Sequence, residues 1–246
     1  MISRRLLLLG MLSGLAIKPS VAWAGADNPL RNRRQRRVEV PDVAQFHRQD
    51  GRRGFILDRT GEVWLLKPLD EDEVLALSAQ RAPGGDTSFV SDWGDEVIRV
   101  SPIGAVTYYP EDQPNGVIAE AWEPARPLRT PHAGVGDLRE RSTRAAVELA
   151  ELFGRPIQVE YGAAPLDGLG IMVEAFDLTV KGIARTLTGG ADLDGLQRVK
   201  IAPSDTADIE INGDLFIVWV NPLGGYAGRP SSMRISRTLL AASIPA

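Results

Sequence analysis

Short apolar runs alternate with turn-forming clusters through the first half of the chain. The runs are rich in β-branched and aromatic residues, and clusters of Asp, Gly and Pro separate them at near-regular intervals. Such runs are typical of antiparallel strands joined by tight turns. The pattern therefore predicts an antiparallel β-meander, with strands at 55–57, 63–66, 74–78, 87–90, 97–100 and 105–109.

After residue 109 the strand pattern ends and helical spacing takes over. Residues 110–136 contain five prolines and little periodicity, which predicts a long loop, a lobe boundary or a lid. Apolar residues then recur three and four positions apart over 137–153 and 167–187. That spacing predicts two amphipathic helices, the first capped by Asp137 and the second ended by Gly189 and Gly190.

The C-terminal part returns to short strands. Residues 157–161 and 199–202 are predicted strands, and Asn212-Gly213 separates two more, at 208–211 and 215–220. Asn-Gly favours a type I′ hairpin turn, in which both residues have positive φ. Residues 231–243 are compatible with a weak helix, capped by Ser231 or Ser232, or with an edge strand. The whole order predicts an α+β fold, with an antiparallel β-meander followed by two amphipathic helices and a C-terminal β-hairpin.

Composition limits the chemistry that the protein can use. The 246 residues suit a single domain over 55–246, with 55–110 and 137–246 as possible lobes. The chain has no cysteine, which excludes disulfides, thiol nucleophiles and cysteine-based metal sites. His47 and His132 are its two histidines, too few for a His-rich metal site. We therefore expect no metal site and no cofactor.

Residues 1–24 have the pattern of a cleavable export signal. Two arginines precede an apolar stretch at 6–17, and the small-x-small pattern at 22–24 places cleavage after Ala24. The Ser3-Arg4-Arg5-Leu6 segment resembles the twin-arginine export motif, with an ordinary secretory signal as the alternative. We expect a soluble periplasmic or secreted product with no transmembrane segment in the mature chain.

The sequence that follows the signal changes in charge. Residues 25–54 are predicted to be a basic, flexible connector, with five arginines between positions 31 and 37. Cleavage removes the three basic residues Arg4, Arg5 and Lys18 and no acid, which changes the formal net charge from −4 to −7. An acidic mature chain argues against a nucleic-acid partner.

Four segments together resemble a family of secreted bacterial proteins that is defined as a domain of unknown function. They are the Leu-Asp-Arg-Thr-Gly turn at 57–61, the Gly-Gly-Asp turn at 84–86, the helix at 167–187 and the Ala-Gly-Arg-Pro-Ser-Ser stretch at 227–232. The resemblance extends from residue 55 to about 240, and it implies no activity and no catalytic residues.

The segment 224–234 is the most site-like part of the sequence. Glycines let backbone N–H groups approach a ligand, and the N-terminus of a following helix favours an anion. The predicted anion-binding residues are Gly225, Gly228, Arg229, Ser231, Ser232 and Arg234. The alternative is a glycine-rich loop that caps the last element of the fold.

The function that the sequence favours is a binding or envelope-accessory module without catalysis. Its ligand would be an anionic small molecule or an anionic envelope component, and the sequence identifies no other partner. The alternative is a periplasmic hydrolase that uses carboxylates such as Asp58, Asp92 or Glu96. Convergence of two carboxyl groups in one cleft would favour the hydrolase.

Overall fold

The first half of the ordered domain is a closed barrel of eight antiparallel strands. A computed structural model describes residues 39–242, which lie in one compact unit. Each strand pairs with the next along the chain, and the eighth pairs with the first. The strands are β1 Val43–Arg48, β2 Phe55–Asp58, β3 Trp64–Pro68, β4 Leu75–Arg81, β5 Thr87–Val90, β6 Glu96–Val100, β7 Val106–Tyr108 and β8 Val117–Pro124.

The predicted meander lacks a strand at each end. The two additional strands, β1 and β8, pair with each other and close the barrel. Strand β8 lies in the proline-rich stretch predicted as a loop, and β1 lies in the predicted connector 25–54. Five of the eight residues of β8, including Trp122, Glu123 and Pro124, form a continuous exposed run, so its sequence lacks strand alternation. Pairing with β1 and β7 outweighs that weak pattern.

The barrel interior is filled by side chains. The rings of Phe46 and Phe55 stack at 5.1 Å between centroids, and Phe55 contacts the Tyr108 ring at 4.6 Å. A Cβ atom at Gly54 would lie 1.7 Å from the carbonyl oxygen of Phe46, so only glycine fits there. The barrel is therefore a packed core, with binding surfaces at its ends and outside.

The second half is a four-stranded mixed sheet covered by three helices. Its sheet order is β11-β12-β10-β9, in which β10 runs parallel to β9 and β12, and only β11 and β12 are antiparallel. The predicted hairpin is thus present but belongs to a mixed sheet. The elements are α1 Val135–Phe153, β9 Gln158–Tyr161, α2 Leu169–Thr188, β10 Arg198–Pro203, β11 Asp208–Asn212, β12 Leu215–Val220 and α3 Ser232–Ala242.

The structure corrects one local prediction and decides between two alternatives for another. Asn212 is the last residue of β11 and pairs with Leu215, so the turn consists of Gly213 and Asp214. Gly213 has φ 60°, as a tight turn requires. The segment after residue 231 forms the helix α3, and the Ser231 hydroxyl accepts a hydrogen bond from the Arg234 N–H at 3.1 Å. The helix alternative was therefore correct there, with Ser231 as its cap.

One end of the barrel carries helices α2 and α3. Consecutive strands are antiparallel, so the connections β1–β2, β3–β4, β5–β6 and β7–β8 all lie at that end. From the β3–β4 connection, Glu73 accepts a hydrogen bond from Lys181 of α2 at 3.2 Å. From the β5–β6 connection, Asp95 forms an ion pair with Arg237 of α3. The α+β class is confirmed, and polar contacts join its two parts.

Within residues 39–242, none of the helices has both the length and the apolar composition needed to cross a bilayer.

Candidate functional site

A cleft lies between the barrel end and helices α2 and α3. We call it the mouth cleft, and it has a volume of about 210 Å³. Small-molecule sites are typically concave, with apolar walls and a few convergent polar groups. The mouth cleft combines apolar and charged walls, and the lining residues that define it are Arg53, Asp70, Trp93, Tyr108, Tyr109 and Met233.

Tyr108 is a buried polar residue in the lining of the mouth cleft. The residue is 6% exposed, and its hydroxyl makes no hydrogen bond with any residue in the range 39–242. Within the same range, Arg141 Nη1 is the one side-chain nitrogen or oxygen atom that is both fully sealed and unpartnered. The Tyr108 oxygen is therefore not sealed off, and Tyr108 lines the mouth cleft.

The environment of Tyr108 keeps its hydroxyl protonated. Burial raises the pKa of Tyr108 well above its ordinary range, and the negative charge of Asp70 acts in the same direction. At neutral pH the group is a neutral hydroxyl that can both donate and accept a hydrogen bond. It is therefore suited to a polar ligand atom.

An arginine between two aspartates fixes the rim beside Tyr108. The Arg48 side chain is 4% exposed, and its guanidinium binds Asp50 at 2.6 Å and Asp112 at 3.1 Å. Hydrogen bonds from Arg48 lower the pKa of both carboxyl groups. All three groups are thus ionised and engaged with one another, so they hold the connections β1–β2 and β7–β8 in place.

The helix side of the mouth cleft is also held by ion pairs. Lys181 binds Glu71 at 2.5 Å, and Arg185 binds Glu71 at 3.4 Å and Glu111 at 3.2 Å. In contrast, Arg53 and Asp70 form neither an ion pair nor a side-chain hydrogen bond within the described part of the chain. They are the lining charges that a ligand can contact without breaking an internal pair.

Glu73 links the wall of the mouth cleft to the start of α3. It is 7% exposed, and its carboxylate accepts hydrogen bonds from the backbone N–H of Ser232 at 2.9 Å and the Ser232 hydroxyl at 2.5 Å. A carboxylate at a helix N-terminus is stabilised by free N–H groups and by the helix dipole. Glu73 therefore docks the barrel on α3.

The residues predicted to bind an anion are close together, but they contact the protein's own carboxylates. Arg229 is 4% exposed and donates to Glu174 Oε2 at 2.6 Å and to the Val74 carbonyl at 3.1 Å. The Ser231 N–H donates to Asp92 Oδ2 at 2.8 Å. These contacts give Arg229 a structural role, and a contact between its guanidinium and a ligand stays a prediction.

The remaining members of the predicted anion site are also accounted for. Arg234 donates to Asp208 at 2.9 Å. Gly225 has φ 57°, and a Cβ atom at Gly228 would lie 2.1 Å from the Asn221 carbonyl oxygen, so both glycines serve the tight loop. An external anion at this segment stays a prediction, and it would have to displace Glu73 and Asp92.

The carboxylates proposed for a hydrolase do not line the mouth cleft. Asp58 is 3% exposed and accepts hydrogen bonds from Thr60 and from the Leu128 N–H at 2.7 Å, which ties the segment after β8 to the barrel. Glu96 pairs with Arg99 at 2.6 Å. Over residues 39–242 there is no group of three or more His, Cys, Asp or Glu side chains arranged to hold a metal ion.

Arg53, Asp70 and Tyr108 are not among the site residues predicted from the sequence. Arg53 belongs to the predicted connector 25–54, and Tyr108 belongs to the predicted strand 105–109. The sequence does indicate that the connections carrying these residues are close, because alternate connections of an antiparallel meander lie at the same end. It does not indicate that the barrel closes, and closure brings those connections together into one rim.

Comparisons with known proteins identify a family but no activity. No curated protein and no solved structure matches the chain. One family profile matches residues 26–239, which is most of the 246-residue sequence and includes both halves of the fold. The chain therefore belongs to the family described as Domain of unknown function (DUF4908).

Proposed function

We propose that the protein is an exported binding protein, which holds a small polar ligand with an anionic group in the mouth cleft. The observation that carries this proposal is the unpartnered Tyr108 hydroxyl at a cavity wall. The hydroxyl oxygen is not sealed off, so a ligand atom in the cleft can form the hydrogen bond that no residue in the range 39–242 forms with it.

The charges at the rim support an anionic group on the ligand. Arg53 lines the same cleft and has no carboxylate partner in the described part of the chain. A carboxylate or phosphate oxygen would accept hydrogen bonds from both the neutral Tyr108 hydroxyl and the Arg53 guanidinium. The predicted anion recognition is thus retained but moves from the segment 224–234 to the barrel end.

The state of the rim carboxylates favours binding over acid–base catalysis. Asp50 and Asp112 are hydrogen-bonded to Arg48, which lowers their pKa values. A general acid at neutral pH needs a carboxyl group with a raised pKa. Arginine partners also hold these side chains in fixed positions, which suits preorganised recognition.

Hydrolysis remains the second candidate because of one contact. The Ser232 hydroxyl donates to Glu73 at 2.5 Å, and both residues line the mouth cleft. A hydroxyl beside a carboxylate base is the geometry of an activated nucleophile. Against this, Ser232 is 0% exposed and Glu73 also binds Lys181. If Ser232→Ala abolishes ester hydrolysis by the purified protein, catalysis is favoured.

The binding proposal is tested by removing the Tyr108 hydroxyl alone. Tyr108→Phe keeps the buried ring, so the fold should be retained while the ligand loses one hydrogen bond. We expect about a tenfold loss of affinity, the equivalent of roughly 1.4 kcal/mol. Calorimetric titration with phosphate and short carboxylates, and with any molecule that native mass spectrometry finds co-purified, measures the change.

Tyr161→Phe is the matched control for that experiment. Tyr161 belongs to β9 in the other half of the fold, and it does not line the mouth cleft. Equal affinities in the wild type and Tyr108→Phe, for every ligand that binds, would refute the site.

Export by the twin-arginine route is a separate part of the proposal. It concerns Arg4 and Arg5, which lie outside residues 39–242. Twin-arginine export requires the arginine pair, so replacing both with lysine should leave a precursor in the cytoplasm. Normal maturation of this variant in cell fractionation would leave an ordinary secretory signal as the explanation.

A further inference from the structure

The mouth cleft presents one unpaired charge of each sign. Arg53 and Asp70 both line it, whereas the neighbouring charged side chains are engaged in internal ion pairs. Phe55 pairs with Pro68, and the Leu69 N–H donates to the Gly54 carbonyl at 3.0 Å. The backbones that carry Arg53 and Asp70 are therefore held side by side, just beyond the β2–β3 ladder.

The two side chains are neighbours but are not paired. No nitrogen of Arg53 lies within 4.0 Å of a carboxylate oxygen in the described part of the chain, that of Asp70 included. Both residues are exposed at the rim, while Tyr108 lies deeper in the same cleft. The cleft thus combines a cation, an anion and a neutral hydroxyl.

The other charged residues of the lining are held in internal ion pairs, the rest of the wall is mainly apolar, and the space is small. Leu75, Trp93, Val97 and Met233 contribute to the walls. The volume of about 210 Å³ is below the roughly 300–1,000 Å³ that is typical of sites for drug-sized ligands. A ligand of this site therefore has two charged ends and a compact apolar body.

We infer that the mouth cleft binds a small zwitterion with an apolar side group, of the size and chemistry of an α-amino acid. This inference rests on the proposed function and names its ligand class. The carboxylate accepts hydrogen bonds from Tyr108 and Arg53, the ammonium group donates to Asp70, and the side group packs on Trp93 and Met233.

Single-charge ligands fit the cleft less well. A purely anionic ligand at Arg53 and Tyr108 would be repelled by Asp70, whose charge already acts on the Tyr108 hydroxyl. A purely cationic ligand at Asp70 would face Arg53. A zwitterion places an opposite charge beside each of these two residues, so both of its ends are attracted to the cleft.

The test uses ligands in which one charge is removed at a time. Calorimetry measures binding of L-phenylalanine and L-leucine, of their amides, which lack the carboxylate, and of their N-acetyl derivatives, which lack the ammonium group. We expect the free amino acids to bind at least tenfold more tightly than either derivative. If none of these six compounds binds, the inference is overturned.

Variants then assign each charge to its partner. Asp70→Asn should weaken binding of the free amino acid about tenfold and leave N-acetyl-phenylalanine unaffected. Arg53→Gln should weaken the free amino acid and leave the amide unaffected. Asp167→Asn and Arg126→Gln alter exposed charges that do not line the cleft and should change nothing.

The outcomes separate this inference from the proposed function. If N-acetyl-phenylalanine binds as tightly as phenylalanine and Tyr108→Phe weakens both, the ligand is an anion and the zwitterion is excluded, while the binding site stands. If free amino acids bind and Tyr108→Phe has no effect, both proposals fail at this cleft.

Discussion

Arginine side chains in this protein have different roles that depend on their burial. Arg229 is 4% exposed and joins Glu174 of α2 to the Val74 carbonyl of the β3–β4 connection. Arg234 follows five residues later, and its side chain is 28% exposed beside the 65% exposed Asp208. A buried pair that loses one member leaves an unpartnered polar group, whereas a solvent-exposed pair is replaced by water.

This difference gives a prediction for two alanine variants. Arg229→Ala removes two hydrogen bonds and leaves the Val74 carbonyl without this donor, so it should lower the free energy of unfolding by about 3 kcal/mol. Arg234→Ala should lower it by about 0–1 kcal/mol. Urea denaturation followed by circular dichroism measures both, and equal destabilisation by the two variants would contradict the structural role of Arg229.

At the scale of elements, local patterns predicted most strands and helices but not how they assemble. The six predicted strands of the meander correspond to β2–β7, and the two predicted helices correspond to α1 and α2. These elements carry regular apolar spacing and clear turn residues. Barrel closure depended on β1 and β8, whose residues pair across more than 70 positions of sequence, and no local pattern reports such a contact.

The site was less predictable than the fold for a related reason. Arg53, Asp70 and Tyr108 lie in three separate connections or strands, and only the closed barrel brings them to one rim. The segment 224–234 did have the glycines and donors of an anion site. Its anionic partners are Glu73, Asp92, Glu174 and Asp208, which lie between 26 and 159 positions earlier in the chain.

Residues 55–69 and 89–103 share a Phe, an Asp, a Glu-Val pair and a Pro at the same spacing. The two segments correspond to the hairpins β2–β3 and β5–β6. They begin three strands apart, so their turns lie at opposite ends of the antiparallel barrel. The shared residues therefore belong to two hairpins of the same kind, whose turns lie at opposite ends of the barrel.

The turn between β11 and β12 allows a prediction for a single element. Gly213 has φ 60°, and a Cβ atom there would meet no other atom within 4 Å. The cost of Gly213→Val therefore comes from the backbone alone and should be about 1–2 kcal/mol. Gly213→Asn is the matched control, because asparagine tolerates positive φ and should cost less than half as much. Equal urea midpoints for the wild type and Gly213→Val would show that the positive φ of Gly213 does not contribute to stability in this way.

At the scale of the whole molecule, ion pairs hold the barrel end and bind it to the helices. Arg48 holds Asp50 and Asp112 together at the rim, and Arg237 of α3 reaches Asp95 of the β5–β6 connection. Hydrogen bonds from these arginines lower the pKa of all three carboxyl groups below the ordinary value of 3.8. The stability of the assembly should therefore depend on pH in the acid range.

The direction of that dependence follows from the lowered pKa values. A carboxyl group with a lower pKa in the folded state binds protons more readily when unfolded, so its stabilising contribution is fully present above about pH 4. The contribution is lost as the pH falls through the folded-state values, because protonation then breaks the pairs. We expect urea midpoints to change little between pH 7 and 5 and to fall progressively from pH 4 to 2.

Arg237→Gln should reduce this fall, since Asp95 then has a more ordinary pKa, whereas Arg126→Gln should not. The exposed positions of these carboxylates make each contribution small and sensitive to salt, so the comparison belongs at low ionic strength. An identical acid response in the wild type and Arg237→Gln would show that the contact between Asp95 and Arg237 does not hold α3 on the barrel.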